Sequence, residues 1–353
     1  MKYLSYLNTT IQIIGLYKGQ KPFGIFIKEF FKANKKYGSN DRKHISHLCY
    51  CYFRLGKAAP PNPPLMGGLS DEPLQIQEQI LMSLFLCSDS PNEILKELKP
   101  EWNEKVGLTL EEKCSMFNAD FSLLNIFPFT EELSEGIDIS AFILSHLRQP
   151  DLFLRIRPGK EFLVERKLNE AGIVFKKFSD TCIALPNSTK VDKVLDLDKE
   201  AVVQDYSSQR VGRFLDYAIA PSRNDKLQIW DCCSGSGGKS ILAYDLIPNI
   251  DLTVSDIRKS ILINLKKRFS KAGIKNYKSF VTDLTHDSRL PTHDYDFIIC
   301  DVPCTGSGTW GRTPEQLFFF KEEKIKEYAS LQKQIVSNVI PFLKPGGCLL
   351  YIT

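Results

Sequence analysis

From residue 201 onward, short apolar runs alternate with amphipathic stretches, and no other feature of the chain restricts its fold so strongly. The runs at 227–231, 251–255, 278–281, 296–300 and 347–352 predict strands, and 204–219, 237–246, 257–272 and 321–342 predict helices. Parallel strands need crossover connections, and helices supply them while covering both faces of the sheet. The expected fold class here is therefore α/β with a parallel sheet.

The 353 residues exceed one ordinary domain and suggest two or three. Residues 4–58, and the segments near 74–88, 91–98, 110–118 and 138–148, carry apolar residues at helical spacing, so residues 1–150 are expected to be all-helical. Ser39-Asn40-Asp41 is a helix start, and the Pro/Gly-rich stretch 60–69 is a break. Residues 152–157, 173–178 and 181–185 alternate like strands around a helical stretch at 160–171, a compact α+β module over 151–200.

Charge is unevenly spread. Residues 1–60 hold 11 Lys and Arg against 2 acids, whereas residues 61–150 hold 5 against 15. A basic opening of this size is the footprint of a polyanion, nucleic acid first, or else a solvated lysine-rich face. No run of eighteen apolar residues marks a membrane span, and no signal-peptide pattern opens the chain. The ten cysteines show neither zinc spacing nor a disulfide pattern, so a reducing cytoplasm is expected, with no metal and no membrane partner. Cys232, Cys300 and Cys348 alternate with apolar residues and are expected in the core.

Three acids stand where predicted strands end: Asp231, Asp256 and Asp283. Alone, each is a common helix cap; at successive strand tips of one parallel sheet they outline a nucleoside pocket. After Asp231 come Cys233, Ser234, Gly235, Ser236, Gly237, Gly238 and Lys239, a small-residue loop leading into a helix, where backbone N–H groups can approach a ligand. Its spacing matches neither a phosphate loop nor the dinucleotide fingerprint. A further strand delivers Asp301, Pro303 and Cys304 to the same edge, an acid and a thiol in a rigid turn suited to a polar planar ring.

Asp301-Val302-Pro303-Cys304-Thr305-Gly306 resembles the Asp-Ala-Pro-Cys-Ser/Thr-Gly signature of the Sun-type family of RNA (cytosine-5) methyltransferases. Cys233 to Lys239 resembles that family's Cys-Ala-Ala-Pro-Gly-Gly-Lys loop, with Ser234, Gly235 and Ser236 replacing Ala, Ala and Pro. Gln204-Asp205-Tyr206-Ser207-Ser208-Gln209, Gly311-Arg312-Thr313-Pro314-Glu315, Leu331-Gln332-Lys333-Gln334 and Leu343-Lys344-Pro345-Gly346-Gly347 resemble its further elements, so the likeness extends over 151–353. Asn40-Asp41-Arg42-Lys43 and the helix after it resemble the N-terminal domain of the branch acting on small-subunit ribosomal RNA.

The resemblance implies a Rossmann-like S-adenosylmethionine-dependent methyltransferase domain over 201–353, truncated after its fifth strand. Before it would stand a small RRM-like module (151–200) and an all-α NusB-like RNA-docking domain (1–150). The cofactor would lie against Cys233–Lys239, Asp256, Asp283 and Asp301. RNA would meet Lys35, Lys36, Arg42, Lys43 and Arg312, with ribosomal RNA preferred over transfer RNA, and the protein would act as a monomer. The RRM-like module shows no aromatic RNP signature, so the sequence gives no support for base stacking on its sheet.

In chemical terms, a thiolate adds to carbon 6 of cytosine, carbon 5 takes the methyl group, and Asp301 steadies N3. By resemblance the nucleophile would be the residue after Thr353, which makes the chain a fragment of a longer enzyme, and Cys304 would help release product. The alternatives are Cys304 as the nucleophile itself, or an inactive RNA-binding protein.

Overall fold

A computed structural model describes residues 2–59, 72–117, 123–218, 226–247, 249–286 and 294–353. The Pro/Gly break expected at 60–69 lies outside them. The chain divides into two compact units, residues 1–150 with 306–324, and residues 151–305 with 325–353.

The first unit is helical. Its long helices are Lys2–Leu16, Phe23–Ala33, Ser39–Arg54 and Glu72–Cys87, with short ones at Glu93–Leu98, Pro100–Glu104, Leu110–Ser115 and Ile139–Ser145. The helix at Ser39 starts as its sequence dictates: the Asp41 carboxylate accepts the Gly38 N–H at 2.8 Å. Thr109 and Glu112 close a reciprocal capping box at the helix Leu110–Ser115. Ile11, Ile14, Leu48, Tyr52, Phe53, Phe85 and Leu95 form the core. Tyr52 and Phe53 are fully buried, so these rings pack rather than stack on a ligand.

Residues 306–324, placed by the sequence inside the sheet domain, cluster instead with these helices. The helix Pro314–Phe319 buries Leu317 and Phe318 in the helical core together with Trp310. The Lys57 ammonium donates to the carbonyls of Phe318 at 2.9 Å and Phe320 at 2.5 Å. Buried Glu315 accepts the Phe23 N–H at 3.3 Å, and burial holds its carboxyl above the usual range. Nothing in local periodicity separates this stretch from the fold around it, because its assignment rests on apolar side chains that find a distant core.

The second unit carries two sheets. The smaller comprises β1 (Leu152–Ile156), β2 (Lys176–Ser179), β3 (Cys182–Leu185) and β4 (Ala201–Val203), antiparallel in the order β2-β3-β1-β4. The helix Glu161–Glu170 sets Val164 and Leu168 against Leu154, Ile156, Ile183 and Leu185. Three-residue β4 is too short to announce itself in sequence, and β2 begins at Lys176 rather than at 173.

The larger sheet comprises β5 (Leu227–Asp231), β6 (Ile250–Asp256), β7 (Tyr277–Val281), β8 (Tyr295–Asp301) and β9 (Leu343–Ile352), all parallel in the order β7-β6-β5-β8-β9. The helices Gly238–Leu246 and Lys259–Ala272 cover one face with Ile241, Leu265 and Phe269. The helix Glu323–Val339 covers the other, packing Ile335 and Val339 on Trp230, Ile298 and Cys300. The helix expected at 204–219 is a short α-helix, Tyr206–Arg210, continued as 3-10 turns over Val211–Ala218. Cys232 and Cys300 are buried as expected, but Cys348 is exposed, because outer strand β9 presents it to solvent.

Candidate active site

Strand order reverses between β5 and β8, so the loops after these two strands flank a crevice at the carboxyl edge. Asp231, at the end of β5, is fully buried and accepts the Ser240 hydroxyl at 2.5 Å. Its second oxygen has no partner. Desolvation raises its pKa to about 7, against the lowering effect of the Ser240 hydrogen bond.

The loop 233–238 is built from backbone bonds. The Ser234 N–H donates to the Ser255 carbonyl at 2.9 Å, and the Gly237 N–H donates to Ser234 at 2.8 Å. The Gly235 N–H reaches an Asp256 carboxylate oxygen at 3.0 Å, tying the loop to the tip of β6. Asp256 is buried, and its other oxygen accepts the Arg258 backbone N–H at 2.9 Å and Nε at 3.1 Å. Gly235 and Gly237 have φ of +52° and +84°, which other residues rarely adopt. Beyond Gly235 and Gly238 no atom lies within 4 Å of where a Cβ would stand, so the loop faces open space. That open glycine face beside a buried acid fits a nucleoside-type cofactor.

Lys239 and Asp301 form an ion pair at 2.6 Å, bringing the helix that follows the loop to the tip of β8. The acid expected to grip the base and the lysine expected at the cofactor thus hold one another. Asp283 turns into its own chain: it accepts the Thr285 hydroxyl at 2.6 Å and backbone N–H at 2.9 Å, and these bonds lower its pKa. Cys233 and Cys304 are half-buried free thiols. The Val302 N–H donates to the Ile352 carbonyl at 3.1 Å. The Gln332 amide donates to the Pro303 carbonyl and to the Thr353 hydroxyl, both at 2.9 Å, so one side chain spans the Cys304 turn and the tip of β9.

Sequence reasoning missed Arg268. Its guanidinium donates to the Ser236 carbonyl and hydroxyl at 3.0 Å and to the Asp198 carboxylate at 2.9 Å. Its helical lysine-rich setting reads as a solvated face, and only the fold aims it at the loop.

The basic residues expected to meet RNA lie elsewhere, in the helical unit. Arg42 and Lys43 line a groove of about 620 Å³ with Lys28, Phe31, Tyr37 and Tyr50. Arg42 leans on Phe31, 5.9 Å from the ring centre, and Lys36 on Tyr37 at 5.2 Å. Lys35 is exposed, and Arg312 is half-buried. Among the described residues no group of three His, Cys, Asp or Glu side chains could hold a metal ion. No helix among them is long and apolar enough to cross a membrane.

Residues 216–353 match the family described as 16S rRNA methyltransferase RsmB/F. The chain is 31% identical over 314 residues to the ribosomal RNA small subunit methyltransferase B of Proteus mirabilis, an alignment covering 84% of this chain and 64% of that protein. It is 33% identical over 157 residues to the protein of the same name from Shewanella oneidensis, covering 44% of this chain and 35% of the relative. The chain thus spans less than two thirds of the length of these relatives. The crystal structure of PH0851 superposes over 98% of this chain and 84% of that one, with a TM-score of 0.66 and 19% identity, a likeness of fold alone.

Proposed function

With residues 216–353 matching the RsmB/F methyltransferase family, we propose that the chain belongs to an S-adenosylmethionine-dependent RNA (cytosine-5) methyltransferase acting on small-subunit ribosomal RNA. The observation that carries this reading is the carboxyl edge of the parallel sheet. There the open loop 233–238 is tied to Asp256, and the Asp301–Cys304 turn stands at the end of the neighbouring strand β8.

Bound S-adenosylmethionine supplies the methyl group. Asp256, paired at present with exposed Arg258, the backbone of the loop 233–238 and Asp283 are the groups that would hold the cofactor. Asp301, fixed by Lys239, binds the N3 edge of the target cytosine. A cysteine thiolate adding to carbon 6 would make carbon 5 nucleophilic towards that methyl group, whose bond to sulfur would break to leave S-adenosylhomocysteine. The carbon 5 proton would then pass to a base, the release role that the resemblance gives Cys304, as the carbon 6–sulfur bond breaks and the thiolate departs to restore the ring. By resemblance alone, the nucleophilic thiol would follow Thr353 and Cys304 would serve the release step; the Gln332 amide, bonded to the Pro303 carbonyl and the Thr353 hydroxyl, ties these two positions together.

The test is transfer of labelled methyl groups to 16S ribosomal RNA, followed by mapping of 5-methylcytosine. Transfer is expected when a cysteine follows Thr353, and Cys304→Ser in that protein should leave RNA covalently attached. If the 353-residue chain itself methylates and Cys304→Ser abolishes transfer, Cys304 is the nucleophile and the assignment is overturned. Absence of 5-methylcytosine in every form refutes the reading.

A further inference from the structure

The motif Gln204–Gln209 takes no part in the site above, yet the chain folds it with care. The Gln209 amide donates to the Gln204 carbonyl at 2.8 Å, and the Gln204 amide oxygen accepts Arg155 Nε at 2.8 Å. The resulting turn, just past β4, sets the Tyr206 ring beside two others. Phe153 on β1 stacks on Tyr206 with ring centres 5.9 Å apart and planes 23° apart. Phe178 on β2 lies 5.3 Å from Phe153 and 5.4 Å from Tyr206.

These three residues are far apart in sequence and meet on one face of the small sheet. Leu154 and Ile156 point to the helix Glu161–Glu170, so Phe153 belongs to the opposite face. At the other end of that face Arg155 and Arg157 engage Asp245, while half-buried Phe153 packs against Phe178 and Tyr206. The β2–β3 register shifts between Lys177 and Ser179, so Phe178 sits in a bulge, a device that re-aims a side chain. Phe178 is 48% and Tyr206 37% exposed.

Positive charge stands beside the rings. Arg210 lies 5.9 Å from the centre of Tyr206, and Arg213, three residues further along the chain, lies 4.7 Å from exposed Phe214. Lys176 on β2 is exposed, and Asp180 is engaged by Lys177. Two exposed rings with a guanidinium beside them suit a strand of unpaired bases, whose faces stack on aromatics while the phosphates meet Lys and Arg.

We propose that Phe153, Phe178 and Tyr206 form a stacking platform for unpaired RNA bases, a second RNA contact distinct from the basic groove of the helical unit. This deepens the RNA-methyltransferase reading and rests on RNA being the substrate. The sequence lends no support to base stacking on this sheet because the rings do not form an RNP motif; the bulge and the turn after β4 bring them together.

The test is fluorescence anisotropy of the 353-residue chain with a labelled twelve-nucleotide unstructured RNA and with a duplex of the same length. The double variant Phe178→Ala/Tyr206→Ala should bind the unpaired strand about tenfold more weakly per ring removed. Its duplex affinity and S-adenosylmethionine affinity should be unchanged, and its melting temperature should fall only modestly through loss of the contacts among the rings. Phe178→Tyr/Tyr206→Phe should restore binding. Equal affinity of the alanine variant, or wild-type binding of unpaired RNA no tighter than duplex, overturns the proposal. Methyl transfer is scored separately: an inactive chain whose RNA binding still depends on the rings leaves the platform standing while the reaction assignment falls.

Discussion

Three glycines of the loop 233–238 allow backbone strain, steric crowding and ligand space to be measured apart. Gly237 has φ +84°, and a Cβ there would stand 2.7 Å from Cε1 of Phe269 and 3.1 Å from Cγ of Leu265. Both neighbours are fully buried, so neither can yield cheaply. Gly237→Ala therefore adds left-handed strain of about 1–2 kcal/mol to overpacking of about 1–3 kcal/mol, or about 2–5 kcal/mol together. Gly235, φ +52°, meets nothing within 4 Å, so Gly235→Ala carries the strain alone, about 1–2 kcal/mol. Gly238 has neither burden, and Gly238→Ala at the start of the helix Gly238–Leu246 should range from no change to a gain of about 1 kcal/mol. In urea unfolding, with a slope of about 2 kcal/mol/M, the midpoint should fall by about 1–2.5 M for Gly237→Ala and about 0.5–1 M for Gly235→Ala. The order for cofactor binding differs: Gly238→Ala, although stable, should weaken S-adenosylmethionine because its methyl enters the open space. Gly237→Ala proving no worse than Gly235→Ala would refute the packing argument. A destabilised Gly238→Ala would refute the loop geometry.

Other expectations follow from the same contacts. Asp231 has a folded-state pKa near 7 against an ordinary 3.8, so between those values the folded state holds a proton that the unfolded state has released. Its contribution is full below about pH 4 and is lost as pH rises to about 7; urea midpoints of Asp231→Asn should therefore gain on wild type across that window, and a constant difference would sink the assignment. Asp245, 2% exposed, is the carboxylate that both Arg155 and Arg157 engage, so Asp245→Ala takes the acid from one buried and one half-buried guanidinium and should cost about 3–5 kcal/mol by thermal or urea unfolding. Arg268→Ala should raise the dissociation constant for S-adenosylmethionine about tenfold through loss of charged hydrogen bonds to Ser236, with Arg268→Lys intermediate; calorimetric titration checks it, and an unchanged constant refutes the positioning role.

The parallel sheet was legible because each strand is a short apolar run closed by an acid or a small residue, and the five runs fall on β5 to β9 within a few residues. The positions of Asp231, Asp256 and Asp301 at strand ends follow from that same pattern. Their partners do not. The Lys239–Asp301 pair joins residues 62 positions apart, and Arg268 reaches Ser236 across 32. Local periodicity carries no information on such pairings. The destination of residues 306–324 was hidden for a related reason, since Trp310, Leu317 and Phe318 read as apolar anywhere and only the helical core decides where they are buried. Cys348 misled because alternation marks a strand but does not say that the strand lies at the edge of its sheet.

The path of the chain through its two units has a consequence for biosynthesis. Because residues 306–324 complete the helical core, the first 150 residues emerge without Trp310, Leu317 and Phe318. At about 5–20 residues per second, translation delivers that missing piece roughly 10–30 seconds later. In the interval the apolar surface that Trp310, Leu317 and Phe318 cover stays bare. Closure of the helical core thus waits on residues 306–324, so a genetic cut at residue 150, which looks like a clean boundary, should leave both halves exposing apolar surface.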